Sequence, residues 1–258
     1  MAPVAVVQAA PELYPGAARP YAAAVEAGHL PSGEPVRLQR WGWLDVLITF
    51  AGWIVLPTIA GVLLIGLGGT STGKQVGILI GVALPWLALA GWPLLSTRLK
   101  GNGPIVDLGL RINGRDVVAG IGYGILALAL ALLIGLATQK IFGDFSSAAG
   151  DLVKDFTNPL ALAAFAVLVA VGAPIAEELA FRGLLLTSMA KLNWGPWISV
   201  GLSALAFSLF HFEPIRIPLL LSTGLVLGIA RWRSGSTVTA IVAHMVNNGF
   251  AVASIFLS

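Results

Sequence analysis

The chain contains no cysteine. That one absence excludes disulfides, thiolate metal sites, iron–sulfur clusters and cysteine nucleophiles. Charge is scarce too: 15 Lys and Arg and 12 Asp and Glu among 258 residues, or 10%, where a soluble globular domain carries roughly 25%. So few polar side chains cannot cover the water-facing surface of a body this size. An ordinary soluble enzyme is excluded, as are a disordered, collagen-like or nucleic-acid-binding chain. What is abundant is apolar: 57% hydrophobic residues and 31 glycines, with a mean hydropathy of +0.89. Because a bilayer leaves no water for unpaired backbone groups, such a chain is expected to be an all-α, polytopic transmembrane bundle.

A net charge of +3 and a pI near 9.5 do not change this. The basic residues are scattered a few per loop, as in cytoplasmic loops of membrane proteins, with no stripe for nucleic acid. Residues 1–40 hold Pro3, Pro11, Pro15, Pro20, Pro31 and Pro35, a density that prevents a long helix and predicts a disordered cytoplasmic tail. His29 falls in this tail and reads as a solvated side chain. No apolar run behind a basic start opens the chain, so the first membrane helix is expected to act as its own insertion signal.

From Trp41 to the end, residues 41–258, apolar runs near the 20 residues needed to span a bilayer recur. They lie at about 44–67, 75–97, 116–137, 158–188, 196–212, 216–233 and 236–257. Seven spans are expected, with eight possible. Turn signals mark the joints: Gly68-Gly69, Asn193 to Pro196, Glu213-Pro214 and Ser234-Gly235-Ser236. No internal repeat supports an inverted-repeat transporter. With the amino terminus inside, the inner segments hold Arg19, Arg37, Arg40, Arg98, Lys100, Arg111, Arg115, Lys191, Arg231 and Arg233. The outer ones hold only Lys74, Lys140, Lys154 and Arg216. This bias favours a cytoplasmic amino terminus. The mixed composition of 98–115 predicts a short amphipathic piece at the interface.

Three clusters do not belong in lipid. The fourth span carries Glu177, Glu178 and Arg182 between apolar flanks, and each charge in mid-helix costs about 2.5–3.5 kcal/mol on insertion scales. Glu178 and Arg182, four apart, share a helix face and can pair. Glu177 lies about 100° further round and lacks that partner. An unpartnered acid facing the bundle interior is suited to act as a general acid or base near neutral pH. Pro174, one turn earlier, loosens the backbone there. The second cluster is Phe207 to His211, and the third runs from His244 through Asn247 to Asn248. His244 and Asn248 share one face, and Asn247 is expected to point elsewhere. A structural reading stands beside the functional one: a buried ion pair, and a histidine satisfied in the core. What favours a shared site is the combination, because a bundle lets these groups satisfy one another in one polar pocket.

Glu-Glu-Leu-Ala-Phe-Arg-Gly (177–183), Phe-x-x-x-His (207–211) and His-x-x-x-Asn (244–248), in that order, resemble the three motifs of the CPBP family. These are the CAAX-protease and bacteriocin-processing intramembrane endopeptidases, also called the Abi family, whose eukaryotic relatives trim prenylated CAAX proteins. The likeness covers about residues 158–258, and Asp-Leu-Gly-Leu-Arg (107–111) also looks like the family. It implies that Glu177 and His211 hold and deprotonate a water, that His244 and Asn248 donate to the tetrahedral oxyanion, and that Glu178, Arg182 and Phe207 support them.

The expected substrate is a membrane-associated or lipid-anchored peptide or protein, reached through the bilayer or from a cytoplasmic mouth, and the expected location is a bacterial inner membrane. A hydrolase with no required cofactor is favoured, since His-Glu-x-x-His is absent and Asn is a poor zinc ligand. The open alternative is zinc held by Glu177, His211 and His244. Two other readings remain: a non-catalytic immunity or partner-binding membrane protein, and a proton-coupled carrier using the same groups as a relay.

Overall fold

The computed structural model describes residue 30 and residues 35–64 and 70–257. His29, most of the expected tail and the Gly68-Gly69 turn lie outside the described residues. Among the described residues seven long helices follow one another, α1 (Trp43–Leu64), α2 (Ser71–Lys100), α3 (Gly114–Phe142), α4 (Pro159–Lys191), α5 (Pro196–Leu209), α6 (Pro214–Ser234) and α7 (Thr237–Leu257), with short helices at Pro104–Asp107 and Ala148–Val153 between them. No strand occurs among the described residues. Five of them, α1 to α4 and α6, are long and apolar enough to cross a membrane, whereas α5 is shorter. α7 interrupts its apolar run with His244, Asn247 and Asn248. Large apolar side chains such as Leu47, Ile54, Val118, Leu133 and Leu136 face outward, which is tolerable only against lipid. The protein is a polytopic helical membrane protein.

Helix ends follow local chemistry. The side chains of Thr70, Asn113 and Asn158 accept hydrogen bonds from the first-turn amides of α2, α3 and α4, and Pro159 and Pro196 occupy first-turn positions that need no amide proton. Gly235 closes α6 at φ 73°, a left-handed conformation that glycine adopts without Cβ strain.

Packing depends on small residues, because helices in lipid associate through close van der Waals approach. α3 and α7 meet at Gly120 and Gly124, where an added Cβ would lie 2.6 Å from Val242 and from Val246 respectively. The mid-membrane core groups Phe50, Phe181, Leu184, Phe207 and Leu220 from α1, α4, α5 and α6.

The bundle has two distinct ends. At one, Trp41 and Asp107 share a hydrogen bond of 2.8 Å, Lys100 pairs with Asp45 at 2.6 Å, Lys191 donates to the Trp41 carbonyl, and Thr237 meets the 108–109 backbone. The 98–115 segment belongs here. It contributes one helical turn, Pro104–Asp107, and Val106, Asp107 and Leu108 are buried in the bundle. The middle of the expected interfacial piece is therefore tucked inward, while Leu99, Ile105 and Ile112 stay exposed. At the other end Lys74 pairs with Asp155, Gln75 bonds Thr157 and the Asn158 amide, and Glu213 accepts from the Ala148 amide and pairs with Arg216.

Candidate active site

α4 is not a uniform α-helix. Two π-helical stretches, Leu168–Gly172 and Leu179–Leu185, bracket the α-helical turn Ala173–Glu178 that bears both acids. A π turn shifts each backbone bond to the fifth residue and leaves carbonyls in need of other donors. Neighbouring helices supply them: Ser203 on α5 donates to the Phe181 carbonyl at 3.1 Å, and Arg231 on α6 reaches the Arg182 carbonyl at 3.3 Å. Irregular backbone at membrane depth is tolerated where protein re-satisfies it in this way. These π stretches also offset the acids from where a regular helix would put them. Pro174, the second residue of the turn between the two stretches, has no amide proton for the preceding one, where Asn248 donates to the Val169 carbonyl.

Glu178 and Arg182 are fully buried and 2.7 Å apart. The second guanidinium arm of Arg182 donates to the Gly224 carbonyl on α6 at 2.8 Å, and its plane lies 4.7 Å from the centre of the Phe207 ring. The buried guanidinium thus meets a carboxylate, a carbonyl and an aromatic face, while its Nε has no partner. The same carboxylate oxygen of Glu178 contacts His244 Nδ1 at 3.0 Å. An ionised carboxylate only accepts, so Nδ1 carries the proton and Nε2 presents its lone pair. That Nε2 lies 4.0 Å from Glu177 Oε2. The Oε2 atom is buried and has no hydrogen-bond partner, while the Glu177 side chain as a whole retains 21% exposure.

His211 lies just beyond α5 and is fixed by the same logic. Its Nδ1 is 2.7 Å from the Phe207 carbonyl, again leaving Nε2 bare. Phe207 stands between the two imidazoles, 4.6 Å from the His211 ring and 5.6 Å from the His244 ring, edge-on to both. Asn248 donates to the Val169 carbonyl at 3.1 Å, tying α7 to the first π stretch. Asn247, expected to turn away, instead lines the same cavity and donates to Asn248 Oδ1 at 3.2 Å. The cavity is wide enough along α7 for two consecutive residues to line it.

Glu177, His211, His244, Asn247 and Asn248 all open onto one cavity of about 640 Å³. Its walls are otherwise mostly aromatic and aliphatic, including Trp53, Phe165 and Phe210. Sequence reading missed Trp53, Glu213 and Arg216 at the cavity. Trp53 looks like an ordinary span residue, and the Glu213–Arg216 pair reads as a solvated turn. Zinc requires three or four ligands about 2 Å from one point. Among the described residues no three His, Asp or Glu side chains are gathered in that arrangement.

Residues 159–250 match the model of a protein family described as type II CAAX prenyl endopeptidase Rce1-like. The matched segment contains all three motifs, and the resemblance read from them is thus shown for this part of the chain. A protein of Escherichia coli described as an uncharacterized 24.3 kDa protein is 29% identical over 136 residues, 51% of this chain and 57% of that protein. The chain thus spans a little over half the length of the curated relative it matches. No solved structure matches it.

Proposed function

We propose that this protein is an intramembrane endopeptidase that hydrolyses a peptide bond in a membrane-associated or lipid-anchored substrate, with water activated by Glu177. The observation that carries this reading is the buried, unpartnered Oε2 of Glu177 facing the bare Nε2 of His244 across 4.0 Å at the wall of a large cavity. Two acceptors at that separation can both contact one water about 2.8 Å from each. The family match over 159–250 supports the same chemistry.

In this reading Glu177 takes a proton from the water as its oxygen attacks the carbonyl carbon. It later delivers that proton to the leaving amine as the carbon–nitrogen bond breaks. His211, its Nδ1 anchored to a backbone carbonyl, orients the water from Nε2. His244, held at Nδ1 by Glu178, contacts the same water from Nε2. Asn248 keeps one amide proton on Val169 and has a second for the oxyanion. Preorganised donors of this kind are each worth about 2.7–4 kcal/mol in a dry site. Glu178, Arg182 and Phe207 position the rings. No step passes through a metal. The apolar walls fit the side chains or lipid of a membrane-borne substrate, and the chemistry is compatible with a bacterial inner membrane.

The test is cleavage of a quenched peptide library by purified protein, with and without chelator, beside Glu177→Gln and His211→Ala. Chelator-resistant cleavage that both variants abolish is the expected result. Loss on chelation with recovery in zinc would overturn the metal-free step. A protein that cuts nothing, and whose cellular phenotype survives Glu177→Gln, would be a partner-binding factor instead.

A further inference from the structure

The two ends of the bundle differ in charge, and the cavity opens toward only one of them. Every described basic residue assigned above to the inner segments lies at the end built around Trp41 and Asp107. Arg40 pairs its amide with the Lys100 carbonyl, Arg37 bonds Asn102, Lys191 bonds Trp41, and Arg231 lies against Gly109. Arg111 and Arg115 flank the Asn113 cap beside them. This end also carries a belt of tryptophans: Trp43 and Trp194 have ring centres 5.9 Å apart, and Trp92 bonds Asp45. Tryptophan marks a membrane interface on either side, and the excess of basic residues marks this one as cytoplasmic. The opposite end has only Lys74, Lys140, Lys154 and Arg216. Of these, Lys74, Lys154 and Arg216 are paired with Asp155, Asp151 and Glu213.

The rim of the cavity is built wholly from that opposite end. Ser147 to Gly150, Leu152 and Val153 line it from the connection between α3 and α4, and Phe212, Glu213 and Arg216 from the connection between α5 and α6. The hydrogen bond from the Ala148 amide to Glu213 joins these two connections across the rim. No residue of the 98–115 segment or of the α6–α7 turn lines the cavity.

We infer that the cavity opens on the extracytoplasmic face, so that its substrate is a peptide segment presented at the outer leaflet or beyond it. This replaces the cytoplasmic mouth expected from the sequence. The charge bias that orients the chain and the side on which the cavity opens come from opposite ends of the same helices. The inference rests on the peptidase reading for what enters the cavity. The side on which it opens is read from charge and geometry alone.

The absence of native cysteine makes the test direct. Single cysteines are introduced at Ser146→Cys, exposed near the rim, and at Ile112→Cys, exposed at the basic end. Each full-length variant is produced in a bacterial inner membrane, and intact spheroplasts are treated with a membrane-impermeant maleimide. The expected result is labelling at position 146 in sealed cells and at position 112 only after permeabilisation. Labelling at position 112 in sealed cells, with or without position 146, overturns the inference, as does protection of position 146. A second arm adds an impermeant quenched peptide to the same spheroplasts, with Glu177→Gln as the control. External labelling of position 146 without any Glu177-dependent cleavage, outside or after lysis, would keep the orientation and refute the peptidase reading. Cleavage that appears only after lysis would overturn the orientation and keep the peptidase.

Discussion

His244 Nδ1 sits 3.0 Å from the Glu178 oxygen that also receives Arg182. One buried carboxylate thus sets the tautomer of an imidazole on α7 while neutralising a guanidinium on its own helix. Glu177, one residue earlier, is left with a carboxylate oxygen that nothing in the protein occupies. Adjacent acids in a membrane helix have separate tasks, set by which partners each can reach.

Glu177→Gln should lower peptide cleavage about 10²–10⁴-fold, the usual contribution of a general base. Because Oε2 makes no hydrogen bond, the variant should melt at or above the wild-type temperature in detergent. Loss of activity accompanied by a large drop in melting temperature would mean that the acid is structural.

Glu178→Gln should behave in the opposite way. It leaves Arg182 buried without its counter-charge, and breaking a buried pair by removing one partner costs about 3–5 kcal/mol. The double variant Glu178→Gln/Arg182→Met should recover much of that stability without restoring activity, since His244 still lacks its anchor. Thermal unfolding of the three proteins side by side measures both effects. Equal stability of wild type and Glu178→Gln would contradict the arrangement.

The α3–α7 contact makes a separate prediction. At Gly124 a methyl group would lie 2.6 Å from the Val246 Cβ and 2.7 Å from the Ala243 carbonyl, so Gly124→Ala should destabilise by about 1–3 kcal/mol through overpacking. It should also reduce cleavage, because His244 rides on the displaced helix. Gly122→Ala, with nothing within 4 Å, is the control and should leave both unchanged or raise stability slightly. Identical losses in the two variants would show that helix flexibility, and not close approach, is what the glycines provide.

Asp107 predicts a dependence on pH. Burial holds its carboxyl above the ordinary value of 3.8, against the lowering effect of hydrogen bonds from Asn102, Trp41 and Gln39. A carboxyl that binds its proton more tightly when folded stabilises the fold fully below the unfolded pKa, and this contribution fades as pH rises through the folded value. Melting temperature should therefore fall, as pH is raised from below 4 into the neutral range, more steeply in wild type than in Asp107→Asn. Parallel curves would show that the carboxyl titrates alike in both states.

Much of this was legible in the chain itself. Apolar runs located the seven helices to within a few residues because bilayer thickness and backbone hydrogen bonding leave few alternatives. The i,i+4 spacing of Glu178 and Arg182 predicted their pair, which is present. Other features were hidden. The two π stretches of α4 have no mark in composition, because their free carbonyls are met from other helices, the first by Asn248 and the second by Ser203 and Arg231. Asn247 was expected to face away, since regular helical geometry separates neighbours by 100°, yet the cavity is wide enough to meet both asparagines. The 98–115 segment keeps exposed apolar residues at the interface, but the partners of Asp107 draw its middle inward.

Composition and spacing alone decided that this is a helical membrane protein, and which few ionisable groups it keeps in lipid. Burying a charge there costs so much that every exception is visible in one dimension. Which nitrogen of each histidine is bare, which acid is paired and which is free, and toward which end the cavity opens were decided only by the fold. Those properties depend on distances between atoms of different helices, and such distances leave no periodic trace in the chain.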